Sequence, residues 1–114
     1  MTPAYDNEFI RYFREMQDRV HETAVSKGFW DEPRNDGEAL ALIHQEISEA
    51  LEALRGGSPF DEKCPSFYNV EVELADTVIR IMDLAAARGW DVAGAIVAKA
   101  AYNQTRPHKH GKQF

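Results

Sequence analysis

The sequence contains one cysteine, no long apolar run and no internal repeat. Cys64 therefore has no second cysteine in the chain with which to form a disulfide. No apolar segment precedes Tyr5, and the most apolar stretch, residues 70–88, still carries Glu, Asp and Arg, so we expect neither a secretion signal nor a membrane-spanning helix. These absences favour a cytoplasmic protein. We expect residues 1–114 to form one domain, of a size at which a partner chain often completes the core.

Basic residues are scarce in most of the chain. Residues 99–114 hold four of the 13 Lys and Arg residues and no Asp or Glu, so the first 98 residues carry nine basic residues against 19 acidic ones. Such an acidic body argues against binding a nucleic-acid polymer. A basic segment beside acidic residues suits a small phosphate-bearing ligand, although charge alone favours a solvated tail.

Two acidic motifs stand out, Glu46-Ile-Ser-Glu49 and Glu73-Leu-Ala-Asp76. Residues three apart on a helix point about 60° from each other, so each pair shares one face. A single motif of this kind is common on solvated helix faces. Here both lie among apolar residues: Glu46 falls inside an apolar arc, and residues 70–88 are apolar nearly all round, which predicts a buried helix. We therefore expect the four carboxylates to face an interior groove.

Carboxylates held together out of water are costly unless a cation neutralises them. Neither motif contains Cys or His, and an all-oxygen ligand set suits a hard ion, Mg²⁺ first and Mn²⁺ as a substitute. A carboxylate-bridged di-iron bundle is a rival, but that design calls for Glu-x-x-His on two helices. A helical module that binds nucleotide or metal without catalysis, or that serves oligomerisation, is another alternative.

A basic segment lies downstream of the two acidic motifs, which gives the order Glu46-x-x-Glu49, Glu73-x-x-Asp76 and Lys99-x-x-x-Asn103-x-x-Arg106. This order resembles the MazG-like, all-α nucleoside triphosphate pyrophosphohydrolases over roughly residues 20–114. The ending, from Asn103 to Phe114, is most similar to the small single-domain phage and bacterial members. The resemblance implies an antiparallel bundle of four main helices that is completed by oligomerisation, as a homodimer or homotetramer.

The resemblance also implies a reaction. A nucleoside triphosphate would be cleaved between its α- and β-phosphates, giving a monophosphate and pyrophosphate, as in housekeeping of the nucleotide pool. The four acids, Glu46, Glu49, Glu73 and Asp76, are then the expected metal ligands and catalytic residues, one of them acting as general base. A specificity like that of dimeric dUTPases or of phosphoribosyl-ATP pyrophosphohydrolase is an alternative within the superfamily.

Substrate contacts are expected from the basic segment. Lys99 and Asn103 share one face of a helix predicted from Val92 to about Gln104, and Arg106 joins that face if the helix extends so far. The resemblance implies that these three residues contact phosphate or sugar, in cis or from a neighbouring subunit. His110 and Lys112 are weaker candidates, because they follow Pro107 in a tail.

Two adjacent aromatics, Phe29 and Trp30, lie in a polar loop after a first helix that ends near Gly28. They either close the end of the bundle or form a wall on which a nucleobase stacks. The core is the favoured place for Phe29, whereas for Trp30 the two interpretations are equal. His21 lies off the apolar stripe of the first helix and is expected to be a surface or hydrogen-bonded residue.

Overall fold

The computed structural model describes residues 3–57 and 59–114, and this part of the chain is helical. Its four α-helices are α1 (Pro3–Ser26), α2 (Asp36–Arg55), α3 (Asn69–Arg88) and α4 (Val92–Gln104). A short 3-10 turn, His108–Gly111, follows Pro107. The predicted all-α class is confirmed, and none of these helices is both long and apolar enough to cross a membrane.

Local capping fixes three of the predicted helix ends. The Asn35 side chain accepts a hydrogen bond from the Glu38 backbone N–H at 2.7 Å, and the Asp91 side chain accepts one from the Gly94 N–H at 2.9 Å. These bonds satisfy backbone donors that the first turn of a helix leaves free. Gly89 ends α3 with φ +70°, a left-handed conformation that favours glycine.

The start of α3 has no polar capping side chain. Tyr68 occupies the capping position, and its backbone N–H donates to a Glu71 carboxylate oxygen at 2.8 Å. The Tyr68 ring stacks on Phe60 with centroids 5.2 Å apart, and the two residues form an isolated β-bridge. This bridge across the α2–α3 loop, rather than a local polar side chain, sets the first residue of the helix.

Helices α2 and α3 pack in opposite directions, and α3 is the centre of the bundle. Two ion pairs define the order, because Asp36 and Glu46 along α2 meet Arg88 and Arg80 in reverse order along α3. The antiparallel pairing of α2 and α3 brings the two acidic motifs opposite each other.

Helix α1 lies against α3 and also contacts α4. His21 of α1 meets Asp83 of α3, while Arg14, earlier in α1, pairs with Asp91 after the end of α3. This reversed order makes α1 antiparallel to α3 as well. The predicted antiparallel bundle is thus present in a single chain.

The core of the described chain is small and made mostly of alanine. Its buried apolar residues are Ala39, Ala50, Met82, Leu84, Ala85 and Ala93. Small side chains let helices approach closely, but they bury little apolar area, and that area is the main source of folding free energy.

Much of the apolar surface expected in the core is exposed instead. On α2 the exposed fraction lies between 48% and 69% for Leu40, Ile47, Leu51 and Leu54. On α3 the exposed apolar residues include Leu74, Val78 and Ile79. The prediction that α3 is buried nearly all round is therefore wrong for the single chain. The physical reason is that α2 turns Ala39, Glu46 and Ala50, rather than its leucines, to the inside.

Candidate functional site

Three of the four predicted acids come together where α2 and α3 face each other. One carboxylate oxygen from each of Glu46, Glu49 and Glu73 lies within 4.8 Å of the other two. We call these residues the glutamate triad. Glu46 is only 7% exposed, Glu73 is half-buried and Glu49 faces solvent, so the triad forms a cluster that is open on one side.

Asp76, the fourth predicted acid, lies beside the triad and not in it. It lines a pocket together with Glu46. Burial, and next the charge of Glu46, raise the pKa of the Asp76 carboxyl, while Arg80 opposes this rise. The structure thus gives three converging carboxylates and a fourth on the pocket wall.

The surroundings of Glu73 disfavour the charged form of its carboxyl. Burial raises its pKa, and the charges of Glu49 and Asp76 raise it further. Its Oε2 atom is buried without a hydrogen-bond partner, although a buried carboxylate oxygen ordinarily has one. A cation bound by the triad would offset this repulsion.

The donor set fits a hard divalent ion. Mg²⁺ prefers carboxylate and water oxygens as ligands. The triad offers one carboxylate oxygen from each of three residues, all within 4.8 Å of one another. Glu46, Glu49 and Glu73 are the residues that would hold the ion, and the remaining positions suit water or phosphate oxygens.

An arginine already neutralises the most buried acid. The Arg80 Nε–H donates to Glu46 Oε1 at 2.7 Å. The Arg80 side chain is 36% exposed, against 9% for the Glu46 side chain. Arg80 thus contacts the triad through Glu46 and also lines the neighbouring pocket.

That pocket opens between α1, α3 and the α1–α2 loop and has a volume of about 350 Å³. The lining combines apolar residues with three cationic and three acidic side chains. The residues that line the pocket are Val20, Thr23, Ala24, Lys27, Phe29, Arg34, Glu46, Asp76, Ile79, Arg80 and Asp83. This combination suits a ligand with a flat apolar part and several negative charges, especially if a cation occupies the acids.

Trp30 is held by hydrogen bonds next to this pocket. Its indole N–H donates to both carboxylate oxygens of Asp83, at 2.9 and 3.1 Å, and His21 Nδ1 is 2.8 Å from the same carboxylate. Arg34 and Arg88 lie over the indole ring, 5.1 and 5.7 Å from its centroid. The prediction of a hydrogen-bonded His21 is confirmed. Trp30 is fixed in place, while its role as a base-stacking wall stays a prediction.

Phe29 corrects one expectation. The core was favoured for this residue, but its side chain is 58% exposed and lines the pocket. The backbone reverses at Gly28, which has φ +87°, and this turn points Trp30 rather than Phe29 toward α3.

The predicted substrate contacts of α4 form a separate group. Lys99 Nζ and Arg106 Cζ lie 4.8 and 5.7 Å from the centroid of the Tyr102 ring, and Asn103 Oδ1 is buried without a hydrogen-bond partner. His110 and Lys112 are exposed. None of these five predicted contacts is among the described residues that line the pocket beside the acids.

Sequence reasoning missed the cations of the pocket. Lys27, Arg34 and Arg80 line it, yet they come from a helix end, a loop and a second helix. Because these residues come from three separate segments, no short sequence motif indicates that they lie together. The one available signal was Arg80, which shares the narrow polar strip of α3 with Glu73 and Asp76.

Comparison with known proteins adds no relative to these findings. No family model, curated protein or solved structure matches the chain. The resemblance to the MazG-like family therefore rests on the motif residues themselves. The triad, Asp76 and the adjoining pocket are the observations from which a function can be argued.

Proposed function

We propose that this chain is a Mg²⁺-dependent nucleoside triphosphate pyrophosphohydrolase, which cleaves between the α- and β-phosphates to give a nucleoside monophosphate and pyrophosphate. The observation that carries the proposal is the glutamate triad, with its oxygens within 4.8 Å and one buried oxygen of Glu73 without a partner. Three converging carboxylates with one arginine paired to them are a poor structural choice, whereas carboxylates are the usual ligands of a Mg²⁺ ion that works on phosphates.

Each acid has a separate task in this proposal. Glu46, Glu49 and Glu73 hold the ion, which when bound would offset charge on the phosphates and in the transition state; Mn²⁺ is the expected substitute. Asp76 lies outside the triad and lines the pocket, so it is the carboxylate best placed to accept a proton from the attacking water.

Two sets of cations can contact the triphosphate. Lys27, Arg34 and Arg80 line the pocket of the same chain. Lys99 and Arg106, which flank Tyr102, remain the proposed contacts from a neighbouring copy, together with Asn103, whose buried Oδ1 lacks a partner; His110 and Lys112 extend this group. Trp30 and the exposed Phe29 are the aromatic surfaces proposed for the nucleobase.

We also propose that the chain works as a homodimer or homotetramer. The support is the row of exposed leucines and isoleucine on α2, in which Leu54 is 69% exposed. Contiguous apolar surface of this kind marks interaction sites in many proteins. A second copy would cover it and supply the apolar burial that the alanine-rich core lacks.

The test is incubation of the purified chain with ribo- and deoxyribonucleoside triphosphates and Mg²⁺, with the products resolved by phosphorus NMR. Monophosphate plus pyrophosphate is the expected result. Glu49→Gln should abolish turnover, while Glu52→Gln, an exposed acid on the same helix, should leave it intact and serves as the matched control.

Other outcomes of this test separate the rival functions. Turnover of dUTP alone would indicate a dUTPase-like enzyme, and turnover of phosphoribosyl-ATP alone the corresponding pyrophosphohydrolase. If every triphosphate survives with both Mg²⁺ and Mn²⁺ although the protein binds the metals, the chain is a non-catalytic binding module and the proposed enzyme activity is wrong.

A further inference from the structure

The most buried carboxylate of the triad is already paired with a positive charge. Glu46 Oε1 accepts a hydrogen bond from Arg80 Nε at 2.7 Å, and Glu46 is only 7% exposed. Glu46 is also one of the three residues that would hold the ion. An ion that binds Glu46 must therefore share this carboxylate with Arg80 or displace it.

A second ion pair between the same helices shows what a structural pair looks like here. Arg88 Nε lies 2.7 Å from Asp36, the same distance as in the Arg80 pair. Arg88 has further anchors, because its Nη2 donates to the Arg34 carbonyl at 2.6 Å and its guanidinium lies over Trp30. Arg80 instead lines the pocket beside the triad.

We infer that Arg80 is a counter-ion that exchanges with the metal: it holds Glu46 in the metal-free chain, releases Glu46 to the cation, and then binds a substrate phosphate in the adjoining pocket. This inference rests on the proposed function, since it needs both the metal site and a phosphate substrate. Two cations on one buried carboxylate repel each other. A freed guanidinium is a strong partner for phosphate, which it can bind through two N–H groups.

The first consequence concerns metal affinity, which isothermal titration calorimetry with Mg²⁺ or Mn²⁺ alone measures. Arg80→Gln should tighten binding by roughly tenfold, because it removes one positive charge beside a divalent ion. Arg80→Lys keeps the charge and should stay close to the wild type. Arg88→Gln is the matched control and should not change the affinity. Unchanged or weaker metal binding by Arg80→Gln would overturn the inference.

The second consequence concerns phosphate affinity, which Arg80→Gln should lower rather than raise. Inorganic pyrophosphate, added in the presence of saturating Mg²⁺, serves as the phosphate probe. Arg80→Gln should weaken its binding by roughly tenfold, the loss expected for a charge-assisted pair with phosphate, whereas Arg88→Gln should not. If the Arg80–Glu46 pair only joined α2 to α3, Arg80→Gln would not both raise the affinity for metal and lower the affinity for pyrophosphate. Equal pyrophosphate binding by the wild type and Arg80→Gln would contradict the exchange.

A measurement on the wild type covers the case in which Arg80→Gln fails to fold. The Nε–H resonance of Arg80 should shift when Mg²⁺ is added, while that of Arg88 should remain in place. If the wild type binds metal and the Arg80 resonance does not move, the inference is wrong and the proposed function stands. If the wild type binds neither Mg²⁺ nor Mn²⁺, both fall.

Discussion

Glu73→Gln removes one charge from the glutamate triad and keeps the shape of the side chain. The triad oxygens lie within 4.8 Å of one another, a separation at which two unit charges repel by about 0.9 kcal/mol in water and about 3.5 kcal/mol at an effective dielectric constant of 20. Glu49 faces solvent, so the lower value applies. We expect the metal-free variant to be more stable than the wild type by about 1 kcal/mol.

The pH dependence of this gain follows from the raised pKa of Glu73. Burial, then the charges of Glu49 and Asp76, make the folded chain hold the Glu73 proton more tightly than the unfolded chain does. The stability of the metal-free wild type therefore rises as the pH falls through the folded pKa of Glu73. Glutamine has no such proton, so the advantage of the variant should shrink toward acidic pH.

The assay is urea unfolding followed by circular dichroism, in the presence of a chelator and again with Mg²⁺. Glu22→Gln makes the same chemical change at an exposed position on α1 and should not alter stability. Mg²⁺ should stabilise the wild type and have little effect on Glu73→Gln, since ligand binding stabilises only a chain that has the site. A destabilised Glu73→Gln in chelator, or equal stabilisation of both chains by Mg²⁺, would refute the reasoning.

Three further predictions concern a cap, a surface and a titrating group. Asn35→Ala removes the acceptor for the Glu38 N–H and should cost about 1 kcal/mol in urea unfolding; no change would mean that the cap is dispensable. Leu51→Gln, at an exposed apolar site of α2, should lower the mass measured by light scattering without loss of helicity, and an unchanged oligomer would place the interface elsewhere. The hydrogen bond from the Gly94 N–H, and next the Arg14 side chain, lower the pKa of the Asp91 carboxyl. The stability that ionised Asp91 gives the folded chain should therefore be lost as the pH falls through its folded pKa. In melting temperatures measured against pH, Asp91→Asn should show a smaller drop over this acidic range, and a curve identical to that of the wild type would contradict this.

The helices themselves were largely predictable from the sequence. Capping residues such as Asn35 and Asp91, and the left-handed Gly89, act within one turn of the chain, so their local signals are sufficient. The burial of Glu46 agrees with its position inside an apolar arc. The cap of α3 was not predictable, since contacts across a loop determine it.

What the sequence could not give is which apolar face meets which helix. In a helical projection of α2 the leucines fall on one face. In this chain, however, the inward face of α2 is the one that holds Ala39, Glu46 and Ala50. Periodicity reports that a face is apolar and leaves open whether this chain or another copy covers it. The pairing of Arg80 with Glu46 depends on the register of α2 against α3. The two residues are 34 positions apart in the sequence, so no local pattern predicts that register.

The measurement that tests the central claim most directly is turnover of a deoxyribonucleoside triphosphate in ¹⁸O-labelled water, comparing the wild type with Glu49→Gln. If water attacks the α-phosphorus at a site built by the triad, the label appears in the monophosphate, none appears in pyrophosphate, and the variant gives no product. Label in pyrophosphate or inorganic phosphate, or equal turnover by Glu49→Gln, would contradict the account.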